Sequence, residues 1–347
     1  MASDPPHAIL LVGPPSSGKT TLAADLAALL LCERPPADRP CRACRGCRRV
    51  ASGNHPDVHV LAPSGAADRI GLGGDPAVLG VRDLVAALAL RPVEGLVRIA
   101  IVERAHRLSE DAQHALLKTL EEPPAGTVIV LCADDEDALL ETVRSRCARI
   151  RLGPVGPRPI EELLGSDGVA DGPTAARLAR LSRGRPGIAR RLAETPDVIT
   201  ARGELARLLI DLAGERAATR LHRVREALAR TVEILDRSAS ALVTEAATSE
   251  GPRSAADRRR GAQWLIAIWR DVAYDAALAR FGDGGDGPTL RDPELLEETR
   301  ALGRSVPAGS MTSFLARLDE ASRRLDISAS PELTLDVLAL RWPSRVG

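Results

Sequence analysis

The residues Gly13-Pro14-Pro15-Ser16-Ser17-Gly18-Lys19-Thr20-Thr21 have the composition and spacing of a phosphate-binding loop. The glycines let successive backbone N–H groups curl around a phosphate. A helix starting at this point adds partial positive charge, Lys19 reaches the outer phosphates, and the Thr20 hydroxyl ligates Mg²⁺. Such a stretch either serves a nucleotide or keeps the shape after binding has been lost, and the residues alone leave both open. A second group is Cys32, Cys41, Cys44 and Cys47. Four thiolates at this spacing can close a tetrahedral structural Zn²⁺ site, with no open position for catalysis. Disulfides are not expected in a cytosolic chain. Cys132 and Cys147 read as buried thiols or helix-end residues.

The third group is an apolar strand at 97–102 followed by Glu103-Arg104-Ala105-His106. In P-loop ATPases this strand ends in an Asp that holds the Mg²⁺ shell, then a Glu that activates water. Glu103 could serve Mg²⁺ with a longer arm. Arg104 cannot act as a base, and loss of general-base help is typically about 10²–10⁴-fold in rate. His106 reads as a satisfied polar residue at a helix entrance. Only Lys19 and Lys118 among the 47 basic residues are lysines. Lys118 lies off the stripe Ala112, Ala115, Leu116, Leu120 of its helix, so it faces water, a partner or a phosphate backbone. The run 39–49 holds five Arg and no acid, and is either a solvent face or a docking surface.

These groups need a scaffold, and the hydrophobic pattern supplies one. Strands are expected at 7–12, 58–61, 97–102, 127–132 and 148–152. Between them lie helices from just after Thr20 to about 31, at 81–90, 109–122 and 136–145, and a Gly-rich loop at 65–80. Ser109 is the expected N-cap of the third, with Glu110 and Asp111 in its first turn and Pro123-Pro124 as its stop. Alternation of this kind predicts an α/β P-loop domain over 1–153, its parallel sheet covered on both faces, with a zinc-binding insertion at 32–49. Beyond Pro157 the strand pattern ends. Short helices at 159–164, 174–182 and 188–194 predict a small helical lid over 154–196. Longer amphipathic helices, broken near 249–254 and 281–289, predict an all-α domain over 197–347.

Composition narrows the function classes. The chain has 347 residues, 44% hydrophobic and 27% charged, as in ordinary globular proteins, so two or three domains are expected. Forty-seven basic and 47 acidic residues give zero net charge, which argues against a polybasic DNA-coating protein. Six aromatics are too few for a row of base-stacking platforms. No membrane span or signal peptide is read, and the expected compartment is the cytosol, hence cytoplasmic.

The stretches Ala115-Leu116-Leu117-Lys118-Thr119-Leu120-Glu121-Glu122-Pro123-Pro124 and Ser145-Arg146-Cys147 resemble the bacterial clamp-loader AAA+ family, as do the phosphate loop and the four-Cys insertion. The resemblance covers residue 7 to about 192. It implies a RecA-like AAA+ fold, a helical lid and a C-terminal collar domain for oligomerisation. It also implies a hetero-pentameric ring with gamma/tau and delta subunits, which loads a sliding clamp on primer-template DNA. In that setting Arg146 is an arginine finger acting in trans. Three departures separate this chain from the ATP-hydrolysing gamma/tau branch. Glu103-Arg104 replaces its Asp-Glu pair. Ala133-Asp134 replaces a Thr pair that senses the γ-phosphate. In Gly184-Arg185-Pro186-Gly187, Gly187 replaces a sensing Arg. The Gly-x-Pro-Gly stretch is similar to the delta-prime branch, and the three departures together imply a defective ATPase with ATP/Mg²⁺ binding doubtful. Relatives carry a helix ahead of the first strand that helps to enclose the base. Here six residues precede His7, so either the start lies upstream or the base pocket is open. An active gamma/tau-type motor and an autonomous P-loop ATPase or kinase are the rival readings.

Overall fold

The computed structural model describes residues 6–63, 69–73, 79–242, 254–279, 295–307, 309–327 and 329–344. The chain divides into two compact units, Met1–Gly156 with Gly184–Ile188, and Pro157–Arg183 with Ala189–Gly347.

The first unit contains β1 (Ala8–Val12), α1 (Lys19–Leu30), α2 (Arg45–Ala51), β2 (Val58–Leu61), α3 (Val81–Leu88), β3 (Arg98–Val102), α4 (Glu110–Glu121), β4 (Thr127–Ala133), α5 (Glu141–Arg144) and β5 (Ala148–Arg151). The strands form one parallel sheet in the order β2-β3-β4-β1-β5. The continuous apolar runs follow from burial on both faces. Ala8 and Leu10 of β1 join a cluster with Leu84, Leu116 and Leu120 on one face. Ile9 and Leu11 join Ala23, Ala27, Cys32 and Cys47 on the other. Each fully buried Leu, Ile or Val adds about 1.5–3 kcal/mol. The small residues Ala23 and Ala27 let α1 lie close to the sheet, which fixes where the phosphate loop emerges.

Helix α4 starts as its sequence suggests: the Ser109 Oγ accepts from Ala112 N at 3.3 Å. The expected helix at 136–145 is different, because only Glu141–Arg144 is helical. The buried Gln113 explains this. Its amide donates to Ala138 O at 3.2 Å, and its carbonyl accepts from Leu140 N at 2.7 Å. Those backbone groups are thereby diverted from a helical ladder. Helix α3 ends at Leu88 rather than at 90, and the 32–49 insertion carries a helix, α2, that the pattern did not suggest. Parts of the 65–80 loop and of the breaks at 249–254 and 281–289 lie outside the described residues.

Asp57 was not singled out by any motif, yet it fixes the entry to β3. It is fully buried. Its Oδ1 accepts from Val93 N at 2.6 Å, and its Oδ2 from Glu94 N at 2.9 Å and Gly95 N at 2.7 Å. Burial alone would raise its pKa. The Val93, Gly95 and Glu94 N–H donors outweigh that and hold it below its ordinary 3.8. Asp57→Asn turns an NH₂ group toward N–H donors and should destabilise the chain by about 2–4 kcal/mol at pH 7. A depressed folded-state pKa gives stability that is present above the unfolded value and lost as pH falls through the folded value. The gap between wild-type and variant melting temperatures should therefore be full at pH 7 and shrink below the ordinary 3.8. A gap independent of pH would contradict this account.

The second unit contains α6 (Pro157–Ser166), α7 (Gly172–Leu181), most of α8 (Pro186–Glu194), α9 (Pro196–Leu212), α10 (Ala217–Leu242), α11 (Ala255–Leu278), α12 (Leu296–Ser305), α13 (Ser310–Asp326) and α14 (Pro331–Leu340). Its core gathers half of the chain's few aromatics. Trp342 meets Trp269 and Phe314 edge-on, with ring centroids 4.7 Å apart in both pairs. The buried indoles donate to Leu205 O and Leu209 O, which offsets their desolvation. Arg183 and Arg202 both pair with Asp271 in the same unit. No helix among the described residues is long and apolar enough to cross a membrane.

Candidate functional site

The parallel register places the chemistry at one edge of the sheet. Val12 pairs with Ala133, and Gly13 N donates to Ala133 O at 3.2 Å. The phosphate loop therefore leaves β1 beside the point where Asp134 leaves β4. Glu103 follows β3, the next strand over, and is half-buried. This is the carboxyl end of the strands, where α/β sheets bind ligands.

Within the loop, Gly18 adopts φ 95°, a left-handed conformation that a side chain resists, and caps α1. The Ser17 Oγ is buried and has no hydrogen-bond partner among the described residues. Thr20 and Thr21 are exposed at the start of α1, whose first turn holds no acid. These features fit a phosphate. Lys19 does not extend away from the loop. It is 7% exposed, and its Nζ donates to Gly13 O at 2.7 Å and Pro14 O at 2.8 Å. It also pairs with Asp134 Oδ1 at 2.7 Å. Pro15 and Ser16 complete the loop. Gly187 N donates to Ser16 O at 3.1 Å, and a Cβ at 187 would lie 3.2 Å from that oxygen. The position read as a missing sensor Arg is therefore a close backbone contact.

His106 is a satisfied polar residue, as expected. Its Nδ1 accepts from Asp134 N at 3.1 Å, and its Nε2 lies 3.6 Å from Asp134 Oδ2. Burial lowers its pKa, against the pull of Asp134. Arg104 is exposed with φ 49°. Lys118 is exposed. Arg146 sits just past α5 and is 34% exposed. It donates to Thr142 O at 2.8 Å and pairs with Glu121 Oε1 at 2.5 Å.

The second site is the cysteine cluster. The sulfurs of Cys32, Cys41, Cys44 and Cys47 all lie within 4.8 Å of one another. A tetrahedron with metal–sulfur bonds of about 2.3 Å has edges of roughly 3.8 Å, so a small contraction suffices. Backbone N–H groups aim at the sulfurs: Cys41 N at Cys32, Cys44 N at Cys41, and Cys47 N at Cys44. Such donors suit thiolates. Hydrogen bonds to backbone groups of Cys41, Ala43 and Cys47 are the foremost causes that lower the pKa of Cys32, Cys41 and Cys44 respectively. Burial pushes Cys47 up to about 12. Cys132 and Cys147 are isolated buried thiols, pushed up by burial to about 12 and about 11.

The Arg run beside the cluster is not a bare cationic face. Arg49 reaches both oxygens of Glu94 at 2.6 and 2.7 Å, Arg45 reaches Glu94 at 3.1 Å, and Arg42 pairs with Asp25 at 3.3 Å. Asp57 holds the backbone N–H of Glu94, so the same loop ties the cysteine module to the start of β3.

Residues 2–156 match the family described as "DNA polymerase III, delta subunit", a span that coincides with the α/β unit. The match to that family is confined to this α/β part of the chain. DNA polymerase III subunit delta' of Pseudomonas aeruginosa is 38% identical over 188 residues, 54% of this chain and 55% of its own length. Its Escherichia coli counterpart is 34% identical over 183 residues, 53% of each chain. DNA polymerase III subunit tau of Salmonella typhimurium is 27% identical over 348 residues, 96% of this chain and 49% of its own length. The chain thus spans about half the length of the curated relatives it matches. Within the matched span, Lys19 and His106 meet at Asp134, and Glu103 follows the neighbouring strand at the same end of the sheet. Arg146 and the cysteine cluster stand apart from them.

Proposed function

We propose that this chain is the delta-prime subunit of a DNA polymerase III clamp loader, joining gamma/tau and delta subunits in a hetero-pentamer that places a sliding clamp on primer-template DNA. The observation that carries this reading is the Lys19–Asp134 ion pair at the head of a phosphate loop of otherwise sound shape. Asp134 stands where the gamma/tau branch has its Thr pair, and Arg104 stands where it has the carboxylate that activates water. Lys19, Thr20, Thr21, Ser17 and Glu103 are the groups that would hold a nucleotide and Mg²⁺. Bound nucleotide would supply phosphoryl chemistry, but this chain lacks the base for hydrolysis.

Arg146 is the residue that works for a neighbour. A half-exposed guanidinium tied by a surface ion pair, worth about 0–1 kcal/mol, is free to be redeployed. In the ring its role is to meet negative charge developing on the terminal phosphate held by the adjacent subunit. Cys32, Cys41, Cys44 and Cys47 would hold Zn²⁺ in a structural role, since four thiolates leave no open position for catalysis. The cluster packs with α1 and lies beside the arginines that bind Glu94. The test is reconstitution with gamma/tau and delta: this chain alone should not turn over ATP, and the ring should depend on it.

A further inference from the structure

The contacts of Lys19 bear on which phosphate the loop accepts. An ammonium has three donors. Here Gly13 O, Pro14 O and Asp134 Oδ1 take one each, at 2.7, 2.8 and 2.7 Å. A phosphate oxygen gains Lys19 only by displacing one of them. The two carbonyls are neutral and easily exchanged. Asp134 is an anion fixed in place: its backbone N–H is held by His106 Nδ1 at 3.1 Å, and the residue directly before it is paired in the sheet. The inner part of the loop is different. Ser17 Oγ is buried without a partner among the described residues and Gly18 is already left-handed, so an inner phosphate meets a prepared cradle.

We propose that Asp134 is a specificity residue of the phosphate loop: its carboxylate is the standing counter-ion of Lys19 and excludes the terminal phosphate of a nucleoside triphosphate from that place. This rests on reading the loop as a nucleotide site. The repulsion is selective. An inner phosphate lies on the Ser17–Gly18 side, whereas a terminal phosphate must come to Lys19 beside a like charge. Two like charges about 4 Å apart at an effective dielectric near 20 repel strongly enough that removing one changes affinity by at least about tenfold.

The experiment titrates the full chain with the non-hydrolysable imido analogue of ATP and with ADP, each with Mg²⁺, by calorimetry. Wild type, Asp134→Asn and Asp134→Thr are compared after thermal melts establish folding. The expected result is a gain of about tenfold or more in triphosphate affinity in the variants, with a smaller change for ADP. Adding Lys19→Ala should erase the gain. Four results would overturn the proposal: triphosphate affinity unchanged or weakened, equal gains for both nucleotides, a gain that survives Lys19→Ala, or loss of folding in both Asp134 variants. ATP hydrolysis by the wild-type chain would instead overturn the delta-prime reading, so the two failures are distinguishable.

Discussion

Stripping the metal from Cys32, Cys41, Cys44 and Cys47, or changing Cys44 to Ser, should leave less than half a zinc per chain and lower the melting temperature by at least about 10 °C. Structural zinc contributes roughly 10–16 kcal/mol to small zinc modules at neutral pH. Part of that is recovered here, because the module rests on the sheet domain and can unfold locally. Cys32 and Cys47 are buried in the same cluster as Ala23, Ala27, Leu31 and Val50. Losing the module therefore uncovers part of the cluster it shares with α1 as well as the cysteines. Glu94 would also lose Arg45 and Arg49. Metal analysis and a melt with and without chelator are the measurements. Freshly purified protein without zinc and with the four thiols disulfide-bonded would contradict the assignment.

The second large effect is expected at Arg146. Arg146→Ala should leave fold and zinc intact, because the side chain gives up only a surface ion pair with Glu121 and one bond to Thr142 O. The stability change should stay within about 1 kcal/mol. In the assembled ring, the site facing Arg146 should lose on the order of 10³–10⁵ in rate. Total turnover should fall to what the ring's remaining sites carry. The defect should show in maximal rate more than in assembly. Equal assembly with unchanged turnover would reduce Arg146 to a helix-end residue.

How much of this was legible depends on the range of the interactions. Strands such as Ala8–Val12 and Val58–Leu61 announce themselves as short apolar runs, and Ser109 with Glu110 and Asp111 marks a helix start locally. The phosphate loop and the cysteines are spaced motifs, readable without tertiary contacts. What the sequence hides is who meets whom. Asp134 was visible as a departure from a Thr pair, but its role as the partner of Lys19 follows from the Val12–Ala133 pairing across 121 residues of chain. Its signal was an acid ending the strand next to the loop. Asp57 had no signal, since its three donors lie 36–38 residues away in a turn. The 136–145 stretch has helical composition, and only the reach of Gln113 from α4 cuts it to one turn. The Arg run at 39–49 looked uncompensated because Asp25 and Glu94 lie outside it.

The most direct measurement is ATP turnover by the purified chain alone, and by a ring of gamma/tau and delta subunits with and without it, in the presence of clamp and primed DNA. The account predicts no turnover above background for the chain by itself. It predicts that adding the chain to its partners raises their turnover and clamp loading. Turnover by the isolated chain near the roughly 1–10³ s⁻¹ typical of enzymes, or a ring that works equally well without it, would contradict the account.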